Sequence, residues 1–212
     1  MGESVLRCFQ LKICEILLYS FTNLLRAFYV IAQQWHASTT FPEPMKPGHT
    51  MLCIDVVGDW TKEMHEQIRA PCNRLVYIRG PFRSEFSDTV MDTRNAIAIA
   101  SGIGITPTLS LMLSHAKNKR INIIWMCRDA GLIEHFLHKV DFSQVTRKSF
   151  VLIFYTGKRA LVLPSIMPTN LFIFHSRPDL EKTISVIVTS IESKKGLPEN
   201  ICKSYLVLLP WI

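Results

Sequence analysis

The stretch Asn95–Leu113, NAIAIASGIGITPTLSLML, constrains this chain more than any other. It opens with an uncharged apolar run, Ala96-Ile97-Ala98-Ile99-Ala100, of strand length. Gly102-Ile103-Gly104-Ile105-Thr106-Pro107 follows, and then an apolar segment, Leu109 to Leu113, that can continue as a helix. Strand, glycine turn and helix in that order build a nucleotide-phosphate site. Glycines let the backbone approach a pyrophosphate, and a helix N-terminus offers unbonded N–H groups and a partial positive charge. Pro107 suits a first helical turn, where its missing N–H is of no consequence. Proline replaces the third glycine of the common GxGxxG fingerprint, and two glycines after an apolar strand are also what a plain βα turn shows.

Downstream, apolar runs alternate with helical patterns. The strands expected are Ala96–Ala100, Ile121–Met126, Phe150–Tyr155, Leu171–His175 and Tyr205–Leu209. The helices are Pro107–Ala116, Leu132–Lys139 and Glu181–Glu192. Such alternation predicts an α/β fold, a parallel sheet covered on both faces, with ligands at the carboxyl ends of its strands. Arg128 and Arg177 stand at two of those ends, and a guanidinium can grip a phosphate through two parallel hydrogen bonds. Asp129 and Asp179 lie beside them, so a surface ion pair is the competing expectation at each arginine.

Composition narrows the classes of partner. At 48% hydrophobic and 19% charged, 212 residues suit one or two compact domains. The net charge of +7 is scattered, without a basic run interleaved with aromatics, which argues against nucleic acid. Six cysteines form no CxxC pair and no metal-ligand spacing, so no metal and reduced thiols in a cytosolic setting are expected. No apolar core with a small-residue cleavage site marks a signal peptide. Ile13 to Ala32 is the most apolar long segment, with Leu17, Leu18, Phe21, Leu24, Leu25 and Phe28 at helical spacing. It reads as an amphipathic or buried helix, because Glu15, Asn23 and Arg26 weigh against a membrane span.

Three further segments carry glycine or histidine in telling company. They are Trp35-His36-Ala37-Ser38-Thr39-Thr40, Gly58-Asp59-Trp60-Thr61 before a helical pattern, and Gly80-Pro81-Phe82-Arg83 after the short strand Leu75–Ile78. Taken singly, the first reads as packing or surface, the second as a capped helix start and the third as a β-turn with proline at its second position. Together with the GxGxxP turn and Trp125-Met126-Cys127-Arg128-Asp129, they resemble the NADPH oxidase and ferric reductase family of the ferredoxin–NADP reductase superfamily. The resemblance runs from about Trp35 to Leu180.

That resemblance implies a C-terminal FAD- and NADPH-binding module. Its parallel nucleotide sheet is preceded by an incomplete antiparallel flavin barrel, with space for about three strands before Gly58 where the barrel needs about six. The divisions implied are an apolar helical segment at 1–34, a partial FAD-binding domain of the ferric reductase type at 35–90, and an NAD(P)-binding domain at 91–212. FAD would be held by His36 and Thr39, and by the Gly58, Trp60 and Thr61 turn. Gly80, Pro81 and Phe82 would lie where the two domains meet. NADPH would lie on Gly102, Gly104, Thr106 and Cys127, with Arg128, Ser176 and Arg177 favouring it over NADH. Thr106 and Pro107 would sit at the nicotinamide. The activity implied is hydride transfer from NADPH to FAD, for onward delivery to a haem in a membrane domain or subunit at the cytosolic face. Ala37 and Ser38 replace the family's proline and aromatic residue, Cys53 and Asp55 replace its histidine and arginine, and Arg83 replaces a glycine. Tyr205–Leu209 is followed by Pro210-Trp211-Ile212 rather than Cys-Gly-Pro. These departures favour the alternative, an inactive relative that binds nucleotide or protein.

Overall fold

The computed structural model describes residues 6–12, 24–29, 34–43, 49–68, 77–82, 90, 93–115, 118–145, 149–193 and 205–208. The first half is an antiparallel sheet built from β1 (Leu6–Lys12), β2 (Leu24–Tyr29), β3 (Gln34–Pro42), β4 (His49–Asp55) and β5 (Tyr77–Phe82), in the order β1-β4-β3-β2-β5. Helix α1 (Asp59–Gln67) follows β4 directly. Four strands thus precede Gly58, one more than the sequence suggested.

The extra strands correct the reading of the N-terminal segment as a helix. Leu6–Lys12 and Leu24–Tyr29 are strands, while residues 13–23 and 30–33 lie outside the described ones. The physical reason is in the pairing. β2 is bonded along one side to β3 (Ala27↔His36, Leu24↔Thr39) and along the other to β5 (Arg26↔Arg79). A strand satisfied on both sides reads as an apolar run, and periodicity alone does not separate that from a buried helix.

Gly80 and Pro81 likewise lie within a strand and not in a free turn. The β2–β5 register steps from Arg26↔Arg79 to Leu24↔Phe82, so Gly80 and Pro81 together oppose Leu25. That is a β-bulge on the terminal strand of the sheet. An edge strand and a bulge are the two places where a proline, lacking the ladder N–H, is tolerated.

The second half is parallel, as the alternation predicts. Strands β6 (Asn95–Ser101), β7 (Arg120–Cys127), β8 (Val151–Tyr155), β9 (Leu171–Phe174) and β10 (Tyr205–Leu208) lie in the order β10-β6-β7-β8-β9. Helices α2 (Ile105–His115), α3 (Ala130–Lys139), α4 (Phe142–Val145) and α5 (Leu180–Ser193) complete it. On β6, Ile97 and Ile99 pack with Ile187 and Ile191 of α5. The small Ala96 and Ala98 meet Leu111 of α2 in a separate cluster, and their size lets that helix lie close.

The two sheets share one core. Phe41, Met51 and Cys53 of the antiparallel sheet pack with Ile105, Leu109 and Met112 of α2 and with Trp125 and Phe136. The Phe41 and Phe136 rings are 5.9 Å apart, as are those of Trp125 and Phe136. Helix α2 is therefore buried around most of its circumference, with Thr106, Thr108 and Ser110 buried along with its apolar residues. Cys53 is disulfide-bonded, where reduced thiols were expected, and Cys8 stands opposite it in the β1–β4 register.

Candidate active site

Strand β6 ends at Ser101, and the chain turns at once through Gly102–Gly104, a 3-10 turn, into α2. Gly102 has φ +51°, a left-handed conformation that side chains rarely adopt. Among the described residues a Cβ at Gly102 or at Gly104 would meet nothing within 4 Å, so the turn is open to them at the carboxyl edge of the sheet. The indole N–H of Trp125, buried on the neighbouring β7, donates to the Gly102 carbonyl at 2.9 Å and holds the turn from below. Thr106 is buried, and its hydroxyl donates to the Ile103 carbonyl at 3.2 Å. Its side chain closes the turn internally, with Pro107 next to it in the first turn of α2.

Around the same edge stand the other expected residues. Arg128 follows β7 and is exposed; Ser176 and Arg177 follow β9 and are exposed. Among the described residues neither arginine has an ion-pair partner, although an aspartate adjoins each. Those carboxylates serve helix starts instead. Asp129 Oδ1 accepts from Leu132 N at 3.2 Å at the start of α3, and Asp179 Oδ1 accepts from Lys182 N at 3.1 Å at the start of α5. Cys127 is placed differently from what a contact residue needs. It is 5% exposed in the core, its thiol is bonded to the Asp129 carbonyl, and burial pushes that thiol up to about 12.

At the end of β4 a second turn opens. A Cβ on Gly58 would meet nothing within 4 Å. Thr61 Oγ1 accepts from Val57 N at 3.0 Å and Gly58 N at 2.9 Å, and donates to the Gly58 carbonyl at 2.8 Å, so it braces the start of α1 from within. Gly58 itself, the residue before that helix, has no side chain to cap it. The imidazole of His36, on β3, stacks on the indole of Trp60 at 3.8 Å and 19°. Among the described residues, His36 Nε2 and Trp60 Nε1 are both buried without a hydrogen-bond partner. Thr39, half-buried, lies farther along β3 opposite Leu24. Of Gly80, Pro81 and Phe82 only the backbone is described, on the edge strand β5.

Asp55 ends β4 between these two regions. One of its oxygens, Oδ1, is buried without a partner among the described residues. Burial, with a further push from Asp129, holds its carboxyl above the usual carboxylate range, against the hydrogen bond from the Val56 backbone. Among the described residues no group of His, Cys, Asp or Glu is arranged to hold a metal, and no helix is long and apolar enough to cross a membrane.

Both turns therefore fit a nucleotide's phosphates: open backbone at Gly102, Gly104 and Gly58, each beside a helix N-terminus. The unpartnered His36 and Trp60 nitrogens fit a polar ligand edge next to the second turn. Sequence reasoning missed the supports. Trp125 was noticed only as part of a motif. Tyr155 enters the sequence reading only as the end of a strand and Gly157 does not enter it, though a glycine two residues beyond a parallel strand is a signal that the loop passes close to other backbone.

A parallel sheet with a glycine turn at its carboxyl edge, joined by one core to an antiparallel sheet, is the two-sheet fold of the ferredoxin–NADP reductases. Solved structures agree. A ferredoxin NADP+ reductase from Neisseria gonorrhoeae superposes with a TM-score of 0.57 at 14% identity, covering 96% of this chain and 78% of that one. A flavohemoglobin from Malassezia yamatoensis gives 0.55 at 18%, covering 97% and 56%. Within that class, residues 93–165 match the ferric reductase NAD-binding domain. NADPH oxidase 4 of Rattus norvegicus is 30% identical over 122 residues, 45% of this chain and 21% of the oxidase. NADPH oxidase 1 of Mus musculus is 28% identical over 116 residues, 49% of this chain and 19% of the oxidase. The chain is thus similar to the NADPH oxidases over about half its length, and it spans about a fifth of the length of these oxidases.

Proposed function

We propose that this chain is an NAD(P)H-dependent flavin oxidoreductase module that passes hydride from NADPH to FAD, for onward electron transfer to a haem in a membrane domain or subunit at the cytosolic face. The observation that carries the reading is the turn at Gly102, left-handed and pinned by Trp125, on the same edge of the sheet as two exposed arginines. When bound, the nicotinamide and the flavin supply the redox chemistry between themselves, and no protein acid or base is needed.

The chain's own residues bind and orient. Backbone amides at Gly102 and Gly104 and the N-terminus of α2 would take the NADPH pyrophosphate. Arg128 and Arg177, with Ser176 beside the latter, would take its 2′-phosphate and adenosine. Thr106 and Pro107 act through the shape of the turn under the nicotinamide, and Cys127 through its backbone. For FAD, Gly58, Trp60 and Thr61 would take the diphosphate at the start of α1, with His36 and Thr39 beside it and Gly80, Pro81 and Phe82 at the edge. The flavin part would end near residue 90, including β1 and β2, and the nucleotide part would begin near 91.

A second reading, nucleotide binding without turnover, is favoured by one cluster of residues. Ser38 offers no aromatic platform for the flavin, and the Asp55 carboxylate stands where a cation would serve a diphosphate. One cuvette separates the two. The purified chain mixed with FAD should show a bound flavin absorbance spectrum that bleaches when NADPH is added. Nucleotide binding with no retained flavin and no bleaching would overturn the enzyme reading in favour of the second.

A further inference from the structure

Tyr155 ends β8 almost fully buried, at 2% exposure. Its hydroxyl donates to the carbonyl of Arg159 at 2.6 Å, closing the segment that follows the strand. Arg159 is itself a fixed post. Its guanidinium is paired with both oxygens of Glu134 on α3, at 3.0 and 2.8 Å, and Glu134 also accepts from Val162 N at 2.7 Å. Within this closed segment, Gly157 lies so near its neighbours that a Cβ would overlap both the Tyr155 side chain and the Arg128 carbonyl oxygen. Thr156 N adds a bond to the Cys127 carbonyl at 3.0 Å. The Tyr155 ring also meets the His175 imidazole edge-on, centroids 5.5 Å apart at 76°. His175 is exposed and lies two residues before Arg177.

Tyr155, opposite Cys127 in the β7–β8 register and edge-on to His175, thus stands between the segment that carries Arg128 and the segment that carries Arg177. We infer that Tyr155 is a positioning residue. It sets the separation of the Arg128 and Arg177 guanidiniums, and through it the preference for a nucleotide bearing a 2′-phosphate. This rests on the nucleotide reading above. The chemistry asks for such a support. Two guanidiniums on two different loops read one phosphate only if both loops are held within a fraction of an ångström, and side chains locked by packing and hydrogen bonds do that. Arg159 is held instead on Glu134 of α3, through both terminal nitrogens.

The test uses the full chain and two probes, 2′,5′-ADP and 5′-AMP, with affinities measured by calorimetry. Tyr155→Phe keeps the ring and loses the bond to Arg159. His175→Ala changes an exposed residue and loses the edge contact. Each should lower the preference for 2′,5′-ADP by about three- to ten-fold, the loss of one modest hydrogen bond or contact, with 5′-AMP affinity unchanged. A purely structural role would weaken both probes together and leave their ratio intact, which would overturn the proposal. If Arg128→Ala lowers the preference and both Tyr155→Phe and His175→Ala leave it as it was, the positioning role falls and the nucleotide reading stands. Should the wild-type chain itself show no preference, the 2′-phosphate reading falls and the positioning role with it.

Discussion

Trp125 Nε1 donates to the carbonyl oxygen of Gly102 at 2.9 Å, so the residue that shapes the glycine turn is tied to the strand beside it. Trp125 is fully buried, and its ring also meets Phe136 edge-on. The turn is therefore part of the shared core and not a loop laid on top of it.

Removing that tie should be felt in both stability and binding. Trp125→Phe leaves the Gly102 carbonyl without its donor, a loss of about 1–3 kcal/mol. Gly102→Ala has open space for the methyl, so its effect is the backbone alone, about 1–2 kcal/mol for a left-handed residue. Thermal unfolding should show both losses, and NADP+ affinity should fall in both. An unchanged melting temperature for Trp125→Phe would mean that the turn stands without its support.

The exposed arginines should read phosphate rather than the nucleoside. Arg128→Ala and Arg177→Ala are each expected to weaken 2′,5′-ADP by about ten-fold or more, the scale of a charge-assisted hydrogen bond. Binding of 5′-AMP should change little. Equal loss for both ligands would place the guanidiniums away from the 2′-phosphate.

Two carboxyls should give opposite pH signatures. Asp55 is raised above its ordinary value of 3.8, chiefly by burial. The folded chain therefore holds that proton more firmly than the unfolded one, and the stability it contributes is lost as pH rises from about that value through the folded one. Glu134 is lowered from 4.5, first by its bond to Arg159, so its contribution is present above that value and lost as pH falls through the folded one. Asp55→Asn should raise the melting temperature at pH 7 relative to the wild type. Glu134→Gln should lower it slightly, for a stability loss of about 1 kcal/mol or less from a pair this exposed, and should have no effect below the folded value of Glu134. Melting curves from pH 3 to 8 distinguish the two, and a lower melting temperature for Asp55→Asn at pH 7 would reverse the assignment of its sign.

Cys127 should be chemically silent. A buried thiol pushed up to about 12 presents almost no thiolate at pH 8, and the thiolate is the reacting form. Peptide mapping after treatment with N-ethylmaleimide should find Cys127 unmodified in the folded chain and modified after denaturation. Rapid labelling in the folded state would show the core open at the end of β7.

How legible all this was depends on the range of the interactions. The alternation that gave β6 to β10 and helices α2, α3 and α5 was readable because the parallel strands are largely apolar runs and β6, β7 and β9 are each followed by a helix. The GxGxxP turn was readable because a left-handed residue leaves a glycine behind. Strand β2 was misread because Leu24 to Tyr29 owes its conformation to partners at 34–39 and 77–82, which no local window contains. The aspartates beside Arg128 and Arg177 suggested ion pairs, and only the helix starts at Leu132 and Lys182 showed where those carboxylates were engaged.

By itself, then, the sequence determined the alternating half, the two glycine turns and the arginines at strand ends, since each follows from residues adjacent in the chain. The stacking of His36 on Trp60, the bond from Trp125 to Gly102 and the closure of Tyr155 over Gly157 were decided only by the tertiary structure. The first two join segments about twenty residues apart, and the third depends on how closely Gly157 approaches the loop after β7. Spacing along a chain gives no distance through space until the sheets have settled against their common core.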